Sequence, residues 1–326
     1  MQEYIDKYKI EKSFLRRYFM QNAESIYYNK LLDFMFWKRG KLLLPKDKEK
    51  NYEEFTKEEI VNFYEKNEIN IPQLELMATT KCTLKCKYCV ALVPQFDLAG
   101  GVHKTLTFKD FKSDFDILCN TVNNIYMFHI LGGEALINQE LPEIVEYVVE
   151  SGKTGSTRIV TNGTLLPSKK LLETARKYSD RVYFSISNYA RNEELKKIIK
   201  QNEIIEVLKD NGIKYQVNPD FMWNVEEPLK YRNYSEEQLK QLFRICHYKQ
   251  CIELLDGKIH ICGKQSMTYE LHEKSDIRIP VDDYVDVRNS KNLREDLIKF
   301  YQKDYFDVCK YCVRLDKQIL PAEQIG

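Results

Sequence analysis

Lys81-Cys82-Thr83-Leu84-Lys85-Cys86-Lys87-Tyr88-Cys89 sets three thiols at the spacing C-x3-C-x2-C. It follows directly on Gln73-Leu74-Glu75-Leu76-Met77-Ala78, whose alternation of polar and apolar side chains predicts a β-strand leaving through Thr79-Thr80-Lys81. The cysteines then fall in a loop at the carboxyl end of a strand, where α/β folds place their chemistry. Iron in a cubane cluster asks for one thiolate per iron, four in all, and this loop supplies three. One iron is left without a protein ligand, and an open position is where a metal takes up substrate or cofactor. The alternative on spacing alone is a zinc site completed by a distant fourth ligand.

The loop resembles the signature loop of the radical SAM enzymes, with Cys82, Cys86 and Cys89 as cluster ligands and the aromatic Tyr88 just before the third cysteine. The resemblance implies a [4Fe-4S] cluster whose open iron chelates S-adenosylmethionine (SAM), with Tyr88 among the residues around that cofactor. It also implies a 5′-deoxyadenosyl radical formed after one-electron reduction, chemistry that a protein borrows from a cofactor, and a flavodoxin- or ferredoxin-type electron donor.

At 326 residues the chain is long enough for one large domain and an appendage. Its 50 basic and 49 acidic residues give a net charge of +1, which makes no case for a nucleic-acid or polyanionic partner; Lys38-Arg39-Gly40-Lys41 reads as a solvated face. No apolar run is long enough to span a membrane, and Met1-Gln2-Glu3-Tyr4-Ile5-Asp6 lacks the pattern of a signal peptide, so a cytoplasmic location is expected. The nine cysteines are an odd number and cluster at metal-ligand spacings, which points to a reducing, low-oxygen setting rather than a disulfide framework.

Residues 1–70 read as a helical extension: Phe14, Tyr18, Ile26, Tyr27, Leu31 and Phe34 recur at helical spacing, and Thr56-Lys57-Glu58-Glu59 reads as a capping box opening a second helix. A cap over an open sheet edge is the expected role, with recognition of a carrier or peptide as the alternative. From Gln73 strands and helices alternate. Strands are expected at Gln73 to Ala78, Ile125 to Leu131, Ser156 to Thr161, Arg181 to Ser187 and Ile213 to Asn218. Helices are expected at Phe108 to Cys119, Pro142 to Glu150, Lys169 to Tyr178 and Glu193 to Asp210. Repeated βα units imply a parallel sheet with right-handed crossovers. The fold class is therefore α/β: a partial (β/α)5-6 TIM-like barrel over 71–235, with the helical extension before it and a small cluster-binding region over 236–326.

Several strand ends carry candidate site residues. Gly132-Gly133-Glu134 follows the second strand, where two glycines let a ligand reach the main chain, although Gly-Gly is also a plain turn. The resemblance implies that this triplet receives the methionyl ammonium of SAM. Asn162-Gly163 reads as a tight turn, and Asn162 is implied to reach the cofactor. Ser185 and Ser187 share one face of the fourth strand, where the family contacts the SAM ribose and carboxylate. Asn188, Tyr189 and Arg191 follow in the loop, with Arg191 expected near the SAM carboxylate or substrate; a helix N-terminus capped by Asn192 accounts for the same loop.

Asp256-Gly257, between the alternating runs Gln250 to Leu255 and Lys258 to Cys262, signals a hairpin. Cys246, Gly257 and Cys262 follow C-x10-G-x4-C, and Cys309-Lys310-Tyr311-Cys312 adds a C-x2-C pair. This resembles the shorter, twitch form of the SPASM/twitch auxiliary-cluster motif and implies a second [4Fe-4S] cluster on Cys246, Cys262, Cys309 and Cys312; zinc in the same cage is the alternative. Cys251 is left over, as a small core residue or as a hydrogen-atom donor to a substrate radical. Cys119 is expected to be structural, and His129 a core or cofactor-lining residue.

The expected activity is abstraction of a hydrogen atom from an unactivated carbon of a small, polar, carbohydrate-like molecule, ending in dehydrogenation or epimerisation. A maturase acting on a ribosomal peptide is the alternative. A non-catalytic iron-sulfur or zinc protein is a third reading.

Overall fold

The computed structural model describes residues 1–26, 48–227, 229–274 and 279–325. Tyr27, Leu31, Phe34 and the basic run at 38–41 lie outside them. Helix α1 (Gln2–Tyr8) and a helical segment α2 (residues 12–26, a π-helical turn at Leu15–Met20 within it) precede α3 (Lys48–Glu65). Thr56 sits inside α3 rather than at its start, and its hydroxyl donates back to the Tyr52 carbonyl at 2.8 Å. The box-like pattern is thus a mid-helix threonine that bonds its preceding turn.

Five parallel strands follow: β1 (Asn70–Met77), β2 (Asn124–Leu131), β3 (Thr154–Thr161), β4 (Val182–Ile186) and β5 (Lys214–Val217). They pair in sequence order, as the alternating βα pattern requires. Between β1 and β2 lie α4 (Val93–Leu98) and α5 (Phe108–Thr121), the latter capped by Thr107, which accepts from the Asp110 N–H at 3.1 Å. The next crossovers are α6 (Leu141–Glu150) and α7 (Lys169–Lys177), with Ser168 as the α7 cap.

The crossover expected over Glu193 to Asp210 is broken. A 3₁₀ turn at Glu193–Lys197, capped by Asn192, precedes α8 (Gln201–Asp210), and the Lys200 N–H between them donates to the Gly163 carbonyl at 2.7 Å. Two β-branched residues, Ile198 and Ile199, occupy the break, where a tertiary hydrogen bond outweighs helix propensity.

The sheet continues on the other side of β1. After β6 (Trp223–Glu226) and α9 (Glu236–Ile245), strand β7 (Glu253–Leu255) pairs parallel to β1, with Glu75 opposite Glu253. Then β8 (Lys258–His260) and β9 (Val285–Asp286) pair antiparallel, completing the order β5-β4-β3-β2-β1-β7-β8-β9. Asp256 and Gly257 both adopt positive φ, 47° and 72°, as the tight hairpin predicted at this dipeptide requires. Helices α10 (Gly263–Lys274) and α11 (Leu293–Gln302) follow, and β10 (Arg314–Ile319) pairs with β6 in a separate ribbon.

In-register residues of neighbouring strands share a face. One face carries Leu74, Leu76, Phe128, Ile130, Ile159, Phe184 and Ile186, all buried against the helices through residues such as Phe115, Val145, Leu171 and Leu208. The opposite face carries the row Glu253, Glu75, His129, Arg158, Tyr183 and Lys214. Parallel strands covered on both faces are usually apolar throughout, so this polar row marks the second face as one built to hold polar groups.

The N-terminal helices close the amino ends of β1 and β2 rather than a sheet edge, since β7 fills the place beside β1. Tyr18 accepts from the Asn70 N–H at 2.7 Å. Glu59, 2 % exposed, accepts from Asn22 at 2.8 Å, Asn70 at 3.0 Å and the Tyr126 hydroxyl at 2.5 Å. Three donors from three elements thus converge on one carboxylate. Glu59→Ala strands them, at about 1–3 kcal/mol for each group left unsatisfied, and should lower the urea midpoint far more than Glu58→Ala on the outer side of the same helix.

Candidate active site

The cysteine loop is held from three sides. A Cβ built on Gly132 would collide with the Thr79 carbonyl oxygen, and one on Gly133 with that of Lys81. Gly133 N–H donates to Thr79 and Glu134 N–H to Lys81, each at 2.8 Å. The glycine pair is needed so that the end of β2 can lie against the residues leading into Cys82, a role the sequence reading had not given it.

Glu134 is buried, and its carboxylate accepts from the Leu136 N–H (3.1 Å), the Thr161 hydroxyl (2.9 Å) and the Asn162 N–H (2.7 Å). Burial pushes its carboxyl up, and these donors oppose the shift. Asn162, in turn, donates from Nδ2 to Thr83 at 3.0 Å and to Cys82 Sγ at 3.5 Å, while Thr83 and Thr164 share a 2.6 Å hydroxyl contact. The ends of β1, β2 and β3 are thereby tied into one unit.

Each of the three thiols has N–H donors aimed at it. Cys82 receives Leu84 N–H at 3.4 Å in addition to Asn162, and the backbone of residues 91–93 hydrogen-bonds Cys89. Gln324 Nε2 reaches Cys86 at 3.4 Å, while Gln324 Oε1 accepts from Lys85 N–H and the backbone of 323–325 pairs with residues 85 and 87. Burial pushes the Cys82 thiol up to about 11 and Cys86 to about 12. Such thiols keep their protons at neutral pH unless a cation takes the protons' place, and N–H donors favour the resulting thiolates. The donor set therefore fits an iron-sulfur cluster with three protein ligands. Tyr88 lies in this loop at φ 55°, and Tyr189 packs over it with Trp223 at 6.1 Å.

The remaining candidates lie around this centre. Ser185 is buried, donating to Asn218 at 3.0 Å and accepting from Gln216 at 3.1 Å. The Ser187 hydroxyl meets Tyr189. Arg191 is drawn aside into a half-exposed ion pair with Asp220 at 3.0 Å. Asn192 caps the 3₁₀ turn, donating to the Pro321 carbonyl at 3.0 Å.

The polar face of the sheet was partly missed by the sequence reading; its signal was charge at mid-strand in Glu75 and Arg158. Arg158 donates to His129 Nδ1 at 2.8 Å, which fixes the imidazole proton on Nε2. Burial, then the Arg158 charge, pull His129 down to about 4, and its buried Nε2 has no partner among the described residues. Cys251 borders this row, with Sγ 3.7 Å from Gln73 Nε2, and Glu75 the foremost charge acting on it.

Cys246 caps α9, Cys262 precedes α10, and Cys309 lies within a 3₁₀ turn at Asp307–Tyr311 that Cys312 closes. The four are electrostatic neighbours of one another, and burial raises the Cys246, Cys262 and Cys309 thiols. Buried Lys264 donates to Cys312 Sγ at 3.5 Å and pairs with Glu226 of β6. Among the described residues no three His, Cys, Asp or Glu side chains are drawn tight enough to hold a single metal ion, and no helix is long and apolar enough to cross a membrane.

Comparison with known proteins bears on residues 76–225, which match the model of the radical SAM superfamily. A GTP 3′,8-cyclase of Syntrophomonas wolfei subsp. wolfei is 24% identical over 144 residues, 44% of this chain and 42% of that protein. An S-adenosylmethionine-dependent nucleotide dehydratase of Selenomonas ruminantium is 33% identical over 100 residues, 31% of this chain and 33% of the relative. The chain thus spans less than half the length of these curated relatives. The crystal structure of BtrN in complex with AdoMet and 2-DOIA superposes with a TM-score of 0.45 at 14% identity, covering 78% of this chain and 97% of that one. With the C-x3-C-x2-C loop and Gly-Gly-Glu at the ends of its first two strands, the stretch 76–225 belongs to the radical SAM superfamily.

Proposed function

We propose that the chain is a radical SAM oxidoreductase or isomerase that removes a hydrogen atom from an unactivated carbon of a small polar, carbohydrate-like molecule. The observation that carries this reading is the set of three thiols, Cys86 buried and Cys82 and Cys89 partly so, each met by N–H donors, at the joined ends of β1, β2 and β3. A [4Fe-4S] cluster with SAM, when bound there, supplies a 5′-deoxyadenosyl radical. Cys82, Cys86 and Cys89 would hold the cluster, with Tyr88, Gly132, Gly133, Glu134, Asn162, Ser185 and Ser187 around the cofactor; Arg191 would have to leave Asp220 to join them.

The polar row supports a hydroxyl-rich substrate. The unpartnered His129 Nε2–H, the Arg158 guanidinium and the Glu75 carboxylate offer donors and an acceptor on one face. A buried N–H without a partner costs free energy that a ligand hydroxyl would recover. Cys251 borders the same row, with its thiol kept protonated by burial, so it holds a hydrogen atom at neutral pH. That position supports epimerisation with Cys251 as donor. Dehydrogenation would instead pass an electron to an auxiliary [4Fe-4S] cluster on Cys246, Cys262, Cys309 and Cys312.

Anaerobic reconstitution should load about eight irons per chain if both thiol sets carry cubane clusters, and reduction with SAM should release 5′-deoxyadenosine; no release sinks the proposal. Gly133→Ala forces the Lys81 carbonyl away from the end of β2. Its reconstituted protein should lose the iron bound by the first loop while Cys246, Cys262, Cys309 and Cys312 keep theirs. Turnover in deuterated water should place deuterium in an epimerised product, and Cys251→Ala should abolish it; unchanged turnover of that variant removes Cys251 from the chemistry.

A further inference from the structure

The three sulfurs of the first cysteine loop are not served alike. Cys82 and Cys89 take N–H groups from their own stretch of chain, from Leu84 and from residues 91–93. Among the described residues no backbone N–H reaches the Cys86 sulfur, although at 7% exposure Cys86 is the one buried thiol of the three. A buried thiolate without a donor is the costliest of the three to place. The donor that Cys86 does have is the Gln324 side chain, whose Nε2 lies 3.4 Å from Sγ and 238 positions further along the chain.

The amide of Gln324 is held one way round. Its Oε1 accepts from the Lys85 N–H at 2.7 Å, and its Nε2 donates to the Ala322 carbonyl at 2.6 Å. Reversing the amide would set its oxygen against a carbonyl and its NH2 against an N–H, so the second Nε2 hydrogen is left for Cys86. The segment that carries Gln324 is fixed as well. Residues 86 and 324 form an antiparallel bridge, the Lys87 N–H donates to the Glu323 carbonyl at 2.7 Å, and the Ile325 N–H donates to that of Lys85 at 2.8 Å. Ala322, at φ 51° and fully buried beside Leu84 and Leu195, turns the segment, while Asn192 holds the Pro321 carbonyl at 3.0 Å. These contacts spend a whole segment of chain on presenting one N–H to one sulfur.

A hydrogen bond to a ligand sulfur favours the form of a cluster that carries more negative charge, and such bonds help to set its reduction potential. We propose that Gln324 is a positioned tuning residue, whose N–H raises the reduction potential of the cluster held by Cys82, Cys86 and Cys89 and so eases uptake of the electron that starts SAM cleavage. One electron enters from an external reductant, the cluster gains one negative charge, and no covalent bond of Gln324 or Cys86 forms or breaks. The proposal rests on the reading of those three thiols as cluster ligands, which the iron content of the parent protein tests by itself.

The test is a dithionite redox titration of the anaerobically reconstituted full chain, followed by EPR at the signal whose shape changes on adding SAM. Gln324→Leu keeps much of the side chain's bulk over Cys86 and removes the donor. Gln324→Glu removes the same donor and keeps an acceptor for the Lys85 N–H. Both should bind as much iron as the parent. The midpoint of Gln324→Leu should fall by about tenfold in the reduction equilibrium, about 59 mV for a one-electron couple, and that of Gln324→Glu should fall further because a carboxylate adds negative charge. An unchanged or raised midpoint in the iron-loaded Gln324→Leu protein overturns the proposal. Loss of iron from both variants overturns it too, by making Gln324 a mere holder of the loop; where only one variant loads, its midpoint decides in the same way. A parent protein with no SAM-sensitive signal sinks the cluster reading instead, and the two failures are thereby told apart.

Discussion

Gly132 and Gly133 leave no room for a side chain between the end of β2 and the backbone of residues 79–82, and this contact sets where the cysteine loop can go. With the β2 exit pressed on the β1 exit, the Glu134 carboxylate is brought under Thr161 and Asn162 of β3, and Asn162 is brought to Cys82 and Thr83. Each link presupposes the one before it. A loop of short-range contacts alone would have to order three thiols against its own chain entropy. Here the ordering is done by three strand ends whose relative positions the sheet has already fixed.

The same strands keep two chemistries apart. Their helix-facing residues form a continuous apolar core, while the row from Glu253 through Glu75 and His129 to Arg158 keeps ionisable groups on the other face, out of that core. Burial raises Glu253 to about 8 and lowers His129 to about 4, so both favour their neutral forms. Holding such groups costs stability unless a ligand or a partner compensates. The cost is met here by neighbouring donors: Ser266 of α10 donates to Glu253, Gln73 on the same strand donates to Glu75 at 3.0 Å, and Arg158 donates across strands to His129.

What was legible in the sequence was local. The thiol spacing, the five strands and the Asp256-Gly257 hairpin each depend on residues a few positions apart, and each lies where the pattern puts it. What was hidden depends on distant partners. Nothing in Thr56-Lys57-Glu58-Glu59 shows that α3 has already begun at Lys48, and nothing near Ile198-Ile199 announces that Gly163 will take the Lys200 N–H. The pairing of β7 with β1 joins the hairpin to the barrel sheet, although residues 236–326 read as a separate region in the linear pattern. Gln324 touches Cys86 from the far end of the chain, with no motif to mark it. Net charge concealed a basic groove between α2 and α9 for the same reason, because its cations come from α2, α9 and the turn after α9 and are brought together only by folding.

That dependence on distant partners is strongest around Lys264. The sequence marks Cys262 as a ligand candidate and says nothing of the lysine two positions on, yet that lysine is the cation donating to Cys312 Sγ. Were Cys246, Cys262, Cys309 and Cys312 to hold the proposed cluster, their thiolates would concentrate negative charge in one volume, and a cation held against one sulfur would offset part of it. Lys264 could not be held there alone, since a buried ammonium without a carboxylate would give up its proton. Glu226 on β6 supplies the carboxylate, and β6 is positioned by its pairing with β10, which follows directly after Cys312. The ribbon of β6 and β10, otherwise detached from the main sheet, thus has a physical reason to exist: it carries the counter-charge that lets a lysine sit among the sulfurs.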